Sequence, residues 1–278
     1  MLNYTKKSFR GYTVDKKVVL ITGASSGIGL ASAKLLHNAG YKVYALVRNP
    51  NEESGIEFIS TDITKAEQVD SAFEQVIAKE GKVDILINNA GMGIYGSTEN
   101  TDLDKARYLF DINFFAAVSL AQKVVPYMRA TGGGRIINIS SLAQVFCLPF
   151  QSFYSASKAA LSAVFSAFSA EVKPFNIKVT NIMPGDIATN FTANRQKDTQ
   201  DLEIYSTRLA KNLSVIEKDE LGGMEPERIA KAILREIKAK MPKTFVTIGA
   251  KYKLFYVLAK ILPASFVNKI VYLLYASE

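Results

Sequence analysis

Seven short runs along the chain are apolar almost without interruption: KVVLIT (17–22), KVYALV (42–47), IEFIS (56–60), VDILIN (83–88), RIINIS (135–140), IKVTNI (177–182) and TFVTIG (244–249). A strand with one solvated face alternates apolar and polar residues, whereas a strand covered on both faces does not. The runs therefore predict buried parallel strands. Between them, segments near 27–39, 65–80, 102–129, 155–173 and 225–239 are long enough for crossover helices. Strand and helix in alternation predict an α/β protein with a doubly wound sheet in one domain. Ligands of such sheets bind beyond the carboxyl ends of the strands, where strand order reverses.

The first run leads straight into LITGASSGIG (20–29). Glycine costs backbone entropy, so a cluster of it signals a tight turn or a close approach. Gly23, Gly27 and Gly29 would bring backbone amides and a helix N-terminus against a pyrophosphate, with Ser25 and Ser26 adding hydroxyl donors. The spacing is neither the Walker loop nor G-x-G-x-x-G, and a purely structural turn is the alternative reading of this motif alone. Four further stretches sharpen the reading: NNAG (88–91), ISS (139–141), YSASK (154–158) and PGDIAT (184–189). All fall along one edge of the predicted sheet.

In order and spacing this set resembles the short-chain dehydrogenase/reductase family over about residues 15–250. The family's T-G-x-x-x-G-x-G is met by Thr22, Gly23, Gly27 and Gly29, and its N-N-A-G, S, Y-x-x-x-K and P-G elements are all present. The resemblance implies a Rossmann-like, seven-stranded parallel sheet, a nicotinamide cofactor and hydride transfer with an alcohol or carbonyl. Tyr154 is then the acid/base. A phenol, with a pKa of about 10 in water, exchanges a proton usefully once that value is brought toward working pH. Lys158, one helical turn further on, supplies a positive charge that favours phenolate. Ser141, thirteen residues before the tyrosine, is expected to hold the substrate oxygen, with Ser140 as the competitor. Asn113, in DINFFA, matches the family asparagine that kinks the long helix and supports a water relay to the lysine.

On the cofactor side, the resemblance assigns Asp62 to the adenine amino group and the Asn89, Ala90 and Gly91 stretch to the adenine ribose. It assigns Pro184, Gly185, Ile187 and Thr189 to the nicotinamide end, and Ile28 to the phosphates. The second strand ends ALVRNP, with Arg48 where an acidic ribose ligand would stand. A guanidinium matches a 2′-phosphate, so NADP(H) is expected over NAD(H), the alternative being that Arg48 stacks on adenine.

The chain has 278 residues, 48% of them hydrophobic, enough for one large core. A net charge of +8 suits an anionic partner, but no helix-turn-helix, finger or RNA-binding signature is present, and nucleic acid is not expected. The lone cysteine, Cys147, permits no internal disulfide and fits a reducing compartment. Residues 1–16 read as a polar arm and not a signal peptide, and no uncharged apolar stretch reaches the ~18 residues of a spanning helix, so the expectation is cytoplasmic. The lone histidine, His37, is expected on the surface of the first helix, which argues against a metal site or a Ser-His triad.

Between Ser141 and Tyr154, the side chains of Val145, Phe146, Leu148, Phe150 and Phe153 are expected to wall the pocket, with Cys147 packed among them. The resemblance implies that the polar segment near 186–223 is the substrate lid. After the catalytic domain (17–249), residues 250–278 carry two helical apolar stripes, Leu254, Phe255, Leu258, Ile261 and Leu262, then Phe266, Val267, Ile270, Val271 and Leu274, separated by Pro263. With Lys251, Lys253, Lys260 and Lys269, this extension suits an anionic membrane surface, a cap on a lipophilic pocket, or packing on the body or a second subunit. The resemblance implies a homodimer or homotetramer through the long helices. The resulting expectation is an NADP(H)-dependent oxidoreductase for a hydrophobic ketone, aldehyde or secondary alcohol. The alternatives are a non-catalytic nucleotide sensor or a membrane-associated lipid-binding protein on the same fold.

Overall fold

The computed structural model describes residues 16–189, 196–197 and 203–277. Its strands are β1 (Val18–Thr22), β2 (Lys42–Val47), β3 (Ile56–Ser60), β4 (Ile85–Asn88), β5 (Ile94–Tyr95), β6 (Gly134–Ile139), β7 (Ile177–Met183), β8 (Gln196–Lys197) and β9 (Phe245–Thr247). The helices are α1 (Gly27–Asn38), α2 (Ala66–Glu80), α3 (Leu103–Phe110), α4 (Ala116–Ala130), α5 (Ser152–Glu171), α6 (Ser206–Leu221), α7 (Pro226–Lys238), α8 (Ala250–Ile261) and α9 (Ala264–Tyr275). Seven strands form one parallel sheet in the order β3-β2-β1-β4-β6-β7-β9. Strand order reverses between β1 and β4, which opens a crevice at their carboxyl ends.

The unbroken apolar runs have a direct cause. Alternate residues of each strand enter two separate cores. Val18, Leu20, Leu46, Leu86 and Ile136 pack with α2, α4 and α5, while Val19, Ile21, Val43, Ile87 and Ile137 pack with α1 and α7. Each fully buried aliphatic side chain contributes about 1.5–3 kcal/mol, so both helical layers are held firmly to the sheet.

The expected helix at 102–129 is interrupted. A π-helical turn, Asp111–Phe115, separates α3 from α4. Residues Leu103–Ala130 are long and apolar enough to cross a membrane by length and composition. Yet Leu109, Leu120, Val124 and Met128 are buried, and the last three join the core beneath the sheet. Helix α6 and the small β5–β8 ladder were not legible in the sequence. Of the residues in α6 only Asn212 and Ile216 are buried, so its apolar period is weak. The polar arm falls on residues outside the described ones except for Lys16, as does part of the expected lid, at 190–195 and 198–202.

One polar feature crosses the sheet centre. Asn88, Asn138 and Asn181 stand in register on β4, β6 and β7. The Asn88 Nδ2 donates to Asn138 Oδ1 (2.9 Å), and Asn138 Nδ2 donates to Asn181 Oδ1 (3.0 Å). All three are buried, so each amide depends on its neighbour for the partner that water would otherwise provide. Asn138→Ala leaves two buried amides without that partner and is expected to cost about 1–3 kcal/mol. A urea denaturation midpoint shifted downward at unchanged slope is the measurement that checks it.

Candidate active site

The crevice is built by stitching the ends of β1 and β4 together. Thr22 Oγ1 accepts from the backbone N–H groups of Asn89 (3.1 Å) and Ala90 (3.0 Å). In return, Asn89 Nδ2 donates to the carbonyls of Thr22 and Gly23, both at 2.9 Å. Gly23 has φ +66°, a left-handed conformation that glycine adopts without strain. Gly29 is demanded by space: a Cβ there would lie 2.3 Å from the Gly23 carbonyl oxygen. Ser26 precedes α1 without a side-chain cap, which leaves the first amides of that helix to serve an anion. Asn51 Nδ2 holds the Ser25 carbonyl at 2.6 Å, a contact the sequence did not point to.

A cavity of about 880 Å³ runs from this loop across the sheet edge. At one end lie Arg48 and Asp62, beyond β2 and β3. Burial pushes the Asp62 carboxyl up, but hydrogen bonds from the Thr64 N–H (3.0 Å) and hydroxyl (2.8 Å), with Arg48 and Lys65 nearby, hold it below the usual range. It is therefore an acceptor at neutral pH. At the other end are Ser141, Tyr154 and Lys158, with Pro184, Gly185, Ile187 and Thr189 facing them. Ile28 and the Asn89–Gly91 stretch line the middle. A cradle from which Cβ atoms are excluded, an uncapped helix N-terminus and an elongated cavity fit a dinucleotide.

Lys158 is buried, and its Nζ donates to the Ile139 carbonyl (2.8 Å) while lying 5.9 Å from the Tyr154 ring centre. Burial pushes its pKa from 10.5 down to about 8, because an ammonium in the interior has lost its hydration. Asn113 sits in the π-helical turn, fully engaged: its Oδ1 accepts from the Met92 N–H (2.8 Å), and its Nδ2 donates to the Met92 carbonyl (2.9 Å) and to Ser157 Oγ (3.0 Å). Ser157 in turn donates to the Tyr154 carbonyl (2.8 Å). The widened turn thus ties the loop after β4 to the first turns of α5. π turns of this kind occur often at functional sites.

The two serines separate by environment. Ser140 is buried, with its hydroxyl bonded to the Lys158 carbonyl (3.2 Å) and Ser162 Oγ (2.8 Å). Ser141 lines the cavity, and its Oγ accepts from the Ala143 N–H (3.1 Å), which leaves the hydroxyl proton to donate elsewhere.

Several expectations need correction. Cys147 is exposed, not packed into the pocket wall. Of the five wall residues expected, Phe146 and Leu148 line the cavity, but Val145, Phe150 and Phe153 do not. Phe150, at φ +62°, turns away to pack against Tyr95 and Tyr205. His37 is half-buried under Gly55, whose missing Cβ would fall 2.1 Å from the imidazole. Among the described residues, no group of three His, Cys, Asp or Glu side chains is placed to hold a metal.

The roof is the part that sequence spacing left open among three fates. Helices α8 and α9 close over the end of the cavity that holds Ser141 and Tyr154, with Phe255, Leu258, Leu262, Val267 and Val271 lining it. Tyr252 anchors them. Its ring lies over Gly185, where a Cβ would come within 2.2 Å, and its hydroxyl donates to Asp186 Oδ2 (2.8 Å). Burial and that carboxylate push the Tyr252 phenol well above its ordinary pKa, so it remains a donor.

A reversing parallel sheet whose glycine turn leads to a phenol beside a buried ammonium belongs to the Rossmann-like oxidoreductases. Residues 17–200 match the short chain dehydrogenase family, and the chain is a member of it. The family acts on CH–OH and C=O groups of small molecules with a nicotinamide cofactor, and its members commonly form oligomers. The 3-ketodihydrosphingosine reductase of Bacteroides thetaiotaomicron is 40% identical over 239 residues, covering 85% of this chain and 89% of that protein. The uncharacterized oxidoreductase YbbO of Escherichia coli K12 is 33% identical over 263 residues, 92% of this chain and 94% of its own. Among solved structures, a short-chain dehydrogenase from Streptomyces avermitilis superposes with a TM-score of 0.79 at 29% identity, covering 93% of this chain and 98% of the other.

Gly29→Ala forces a Cβ onto the Gly23 carbonyl, a strain of about 1–3 kcal/mol that is expected to weaken dinucleotide binding about tenfold or more. Fluorescence titration of the reduced dinucleotide, with circular dichroism to show that the fold is retained, checks this.

Proposed function

We propose that this chain is an NADP(H)-dependent reductase of a lipophilic ketone, with a 3-keto long-chain base, the substrate class in the name of the Bacteroides relative, as the first compound to test. The observation that carries the reading is the convergence of Tyr154 and buried Lys158 on a cavity whose roof is made of apolar side chains from α8 and α9.

A bound nicotinamide supplies the hydride. Ser141 donates its hydroxyl proton in a hydrogen bond to the substrate oxygen and so fixes the carbonyl beside Tyr154. As negative charge develops on that oxygen, the Tyr154 hydroxyl delivers its proton and becomes phenolate. The Lys158 ammonium, poorly screened in the interior, stabilises the phenolate until solvent returns a proton. Asn113 is a positioning residue: through Met92 and Ser157 it holds the loop after β4 and the start of α5 at a fixed separation, and so supports the relay that reprotonates the tyrosine.

Cofactor choice is assigned to Arg48. It is exposed at the end of β2, lines the adenosine end of the cavity and has no acidic side chain beside it on that strand end to hold a ribose hydroxyl. A guanidinium there gains a charge-assisted bond to a 2′-phosphate and nothing comparable from a hydroxyl.

Tyr154→Phe is expected to lower turnover of a long-chain ketone about 10²- to 10⁴-fold while leaving the dinucleotide dissociation constant within a factor of about two. Steady-state kinetics beside fluorescence titration decide this; undiminished turnover sinks the assignment. Arg48→Ala is expected to raise KM for NADPH about tenfold or more, the loss of one charge-assisted phosphate contact, and to leave KM for NADH unchanged. Parallel kinetics with the two cofactors give the comparison.

A further inference from the structure

The two roofing helices have an outer face as well as an inner one. Along α8, Leu254, Val257 and Ile261 are 57%, 54% and 71% exposed, and along α9, Phe266 and Leu273 are 50% and 58% exposed. Their spacing, i, i+3 and i+7 on α8 and, with Ile270 between the two, i, i+4 and i+7 on α9, makes one continuous apolar stripe on each helix. A water-facing pair of helices in a monomeric protein does not normally carry such stripes.

Charge accompanies them. From Gly249 to Ser277 the chain holds four lysines, Lys251, Lys253, Lys260 and Lys269, and no aspartate or glutamate. All four are exposed. Lys253 and Lys260, seven residues apart, run along one flank of the α8 stripe, and Lys269 flanks the stripe of α9. Apolar stripes edged by cations and free of anions match a surface with a negatively charged plane over a hydrocarbon layer. A second copy of the chain is a poor occupant, because a two-fold contact would set this lysine-only segment against itself.

The same face adjoins the cavity. Phe255, Ile270 and Leu274 are 41%, 39% and 60% exposed, and each also lines the cavity. Its walls therefore continue outward into the apolar face. We propose that α8 and α9 dock on the surface of an anionic lipid bilayer, lying in the interface without crossing it. The cavity then opens toward the lipid, and a lipophilic ketone passes between bilayer and active site without crossing water. The docking stands by itself; the passage of substrate rests on the reductase reading.

The test uses the full-length protein in flotation with phosphatidylcholine vesicles, with and without phosphatidylglycerol, at low and high salt. Expected are co-flotation with the phosphatidylglycerol vesicles, weaker flotation with phosphatidylcholine alone, and loss at high salt. The triple variant Lys253→Glu, Lys260→Glu, Lys269→Glu is expected to lower the bound fraction about tenfold or more. A second variant, Leu254→Ser, Ile261→Ser, Leu273→Ser, is expected to weaken binding to both vesicle types. Both variants should retain turnover of a short, water-soluble ketone and lose it on a long-chain ketone presented in vesicles. Vesicle binding that is absent, or unchanged in both variants, overturns the docking. So does a Leu254, Ile261, Leu273 variant that turns a dimer into a monomer in sedimentation while wild type ignores vesicles, which would make the face a contact between copies. Tyr154→Phe protein must float as wild type does, so a failure of the reductase reading leaves the docking result legible.

Discussion

An ammonium group buried in the interior is the constraint on which the site depends. Lys158 has given up its hydration, and the Ile139 carbonyl and the face of Tyr154 are the partners nearest to replacing it. Those partners sit at the end of β6 and in the first turn of α5. The helix must therefore begin over the strand end, and the loop between them must close tightly enough for Ser140 to reach the Lys158 carbonyl. Tyr154, the group on which the proposed reaction develops negative charge, is the one beside the ammonium. Burial also brings the lysine pKa down from 10.5 to about 8.

The cofactor groove and the roof are mechanically joined. Thr22 and Asn89 lock the glycine turn to the end of β4, and Asn113 locks the next loop to α5. Met224 then carries the segment after β7 by backbone bonds to Asp186 and Ala188. Tyr252, on α8, donates to that same Asp186. The segment after β7 is thus held on one side by the body of the fold and on the other by the apolar roof.

The legible parts of this molecule were those with a local signal. Seven apolar runs gave seven parallel strands because each face of each strand meets a helical layer, so nothing interrupts the run. The glycine turn was readable because Gly23 and Gly29 meet demands that no other residue satisfies. The Tyr154 and Lys158 pair was readable because four residues along a helix is one face. Less legible was α6, which buries little and leaves only a faint period. The Asn88, Asn138 and Asn181 ladder was hidden as well, since it exists only once three distant strands align in register.

By itself the sequence determined the doubly wound sheet and the crevice at its edge, because period and spacing act within a few residues of chain, while its resemblance to the short-chain dehydrogenase/reductase family supplied the roles expected of the polar side chains there. Tertiary packing alone decided what surrounds them. Phe150 left the pocket for a neighbouring cluster and Cys147 turned to solvent, although both stand in the same apolar loop as Phe146. The C-terminal helices became a roof because Tyr252 found a glycine surface and a carboxylate more than sixty residues away in the chain. Contacts of that span depend on which surfaces fit once the sheet has formed, and no local pattern records them.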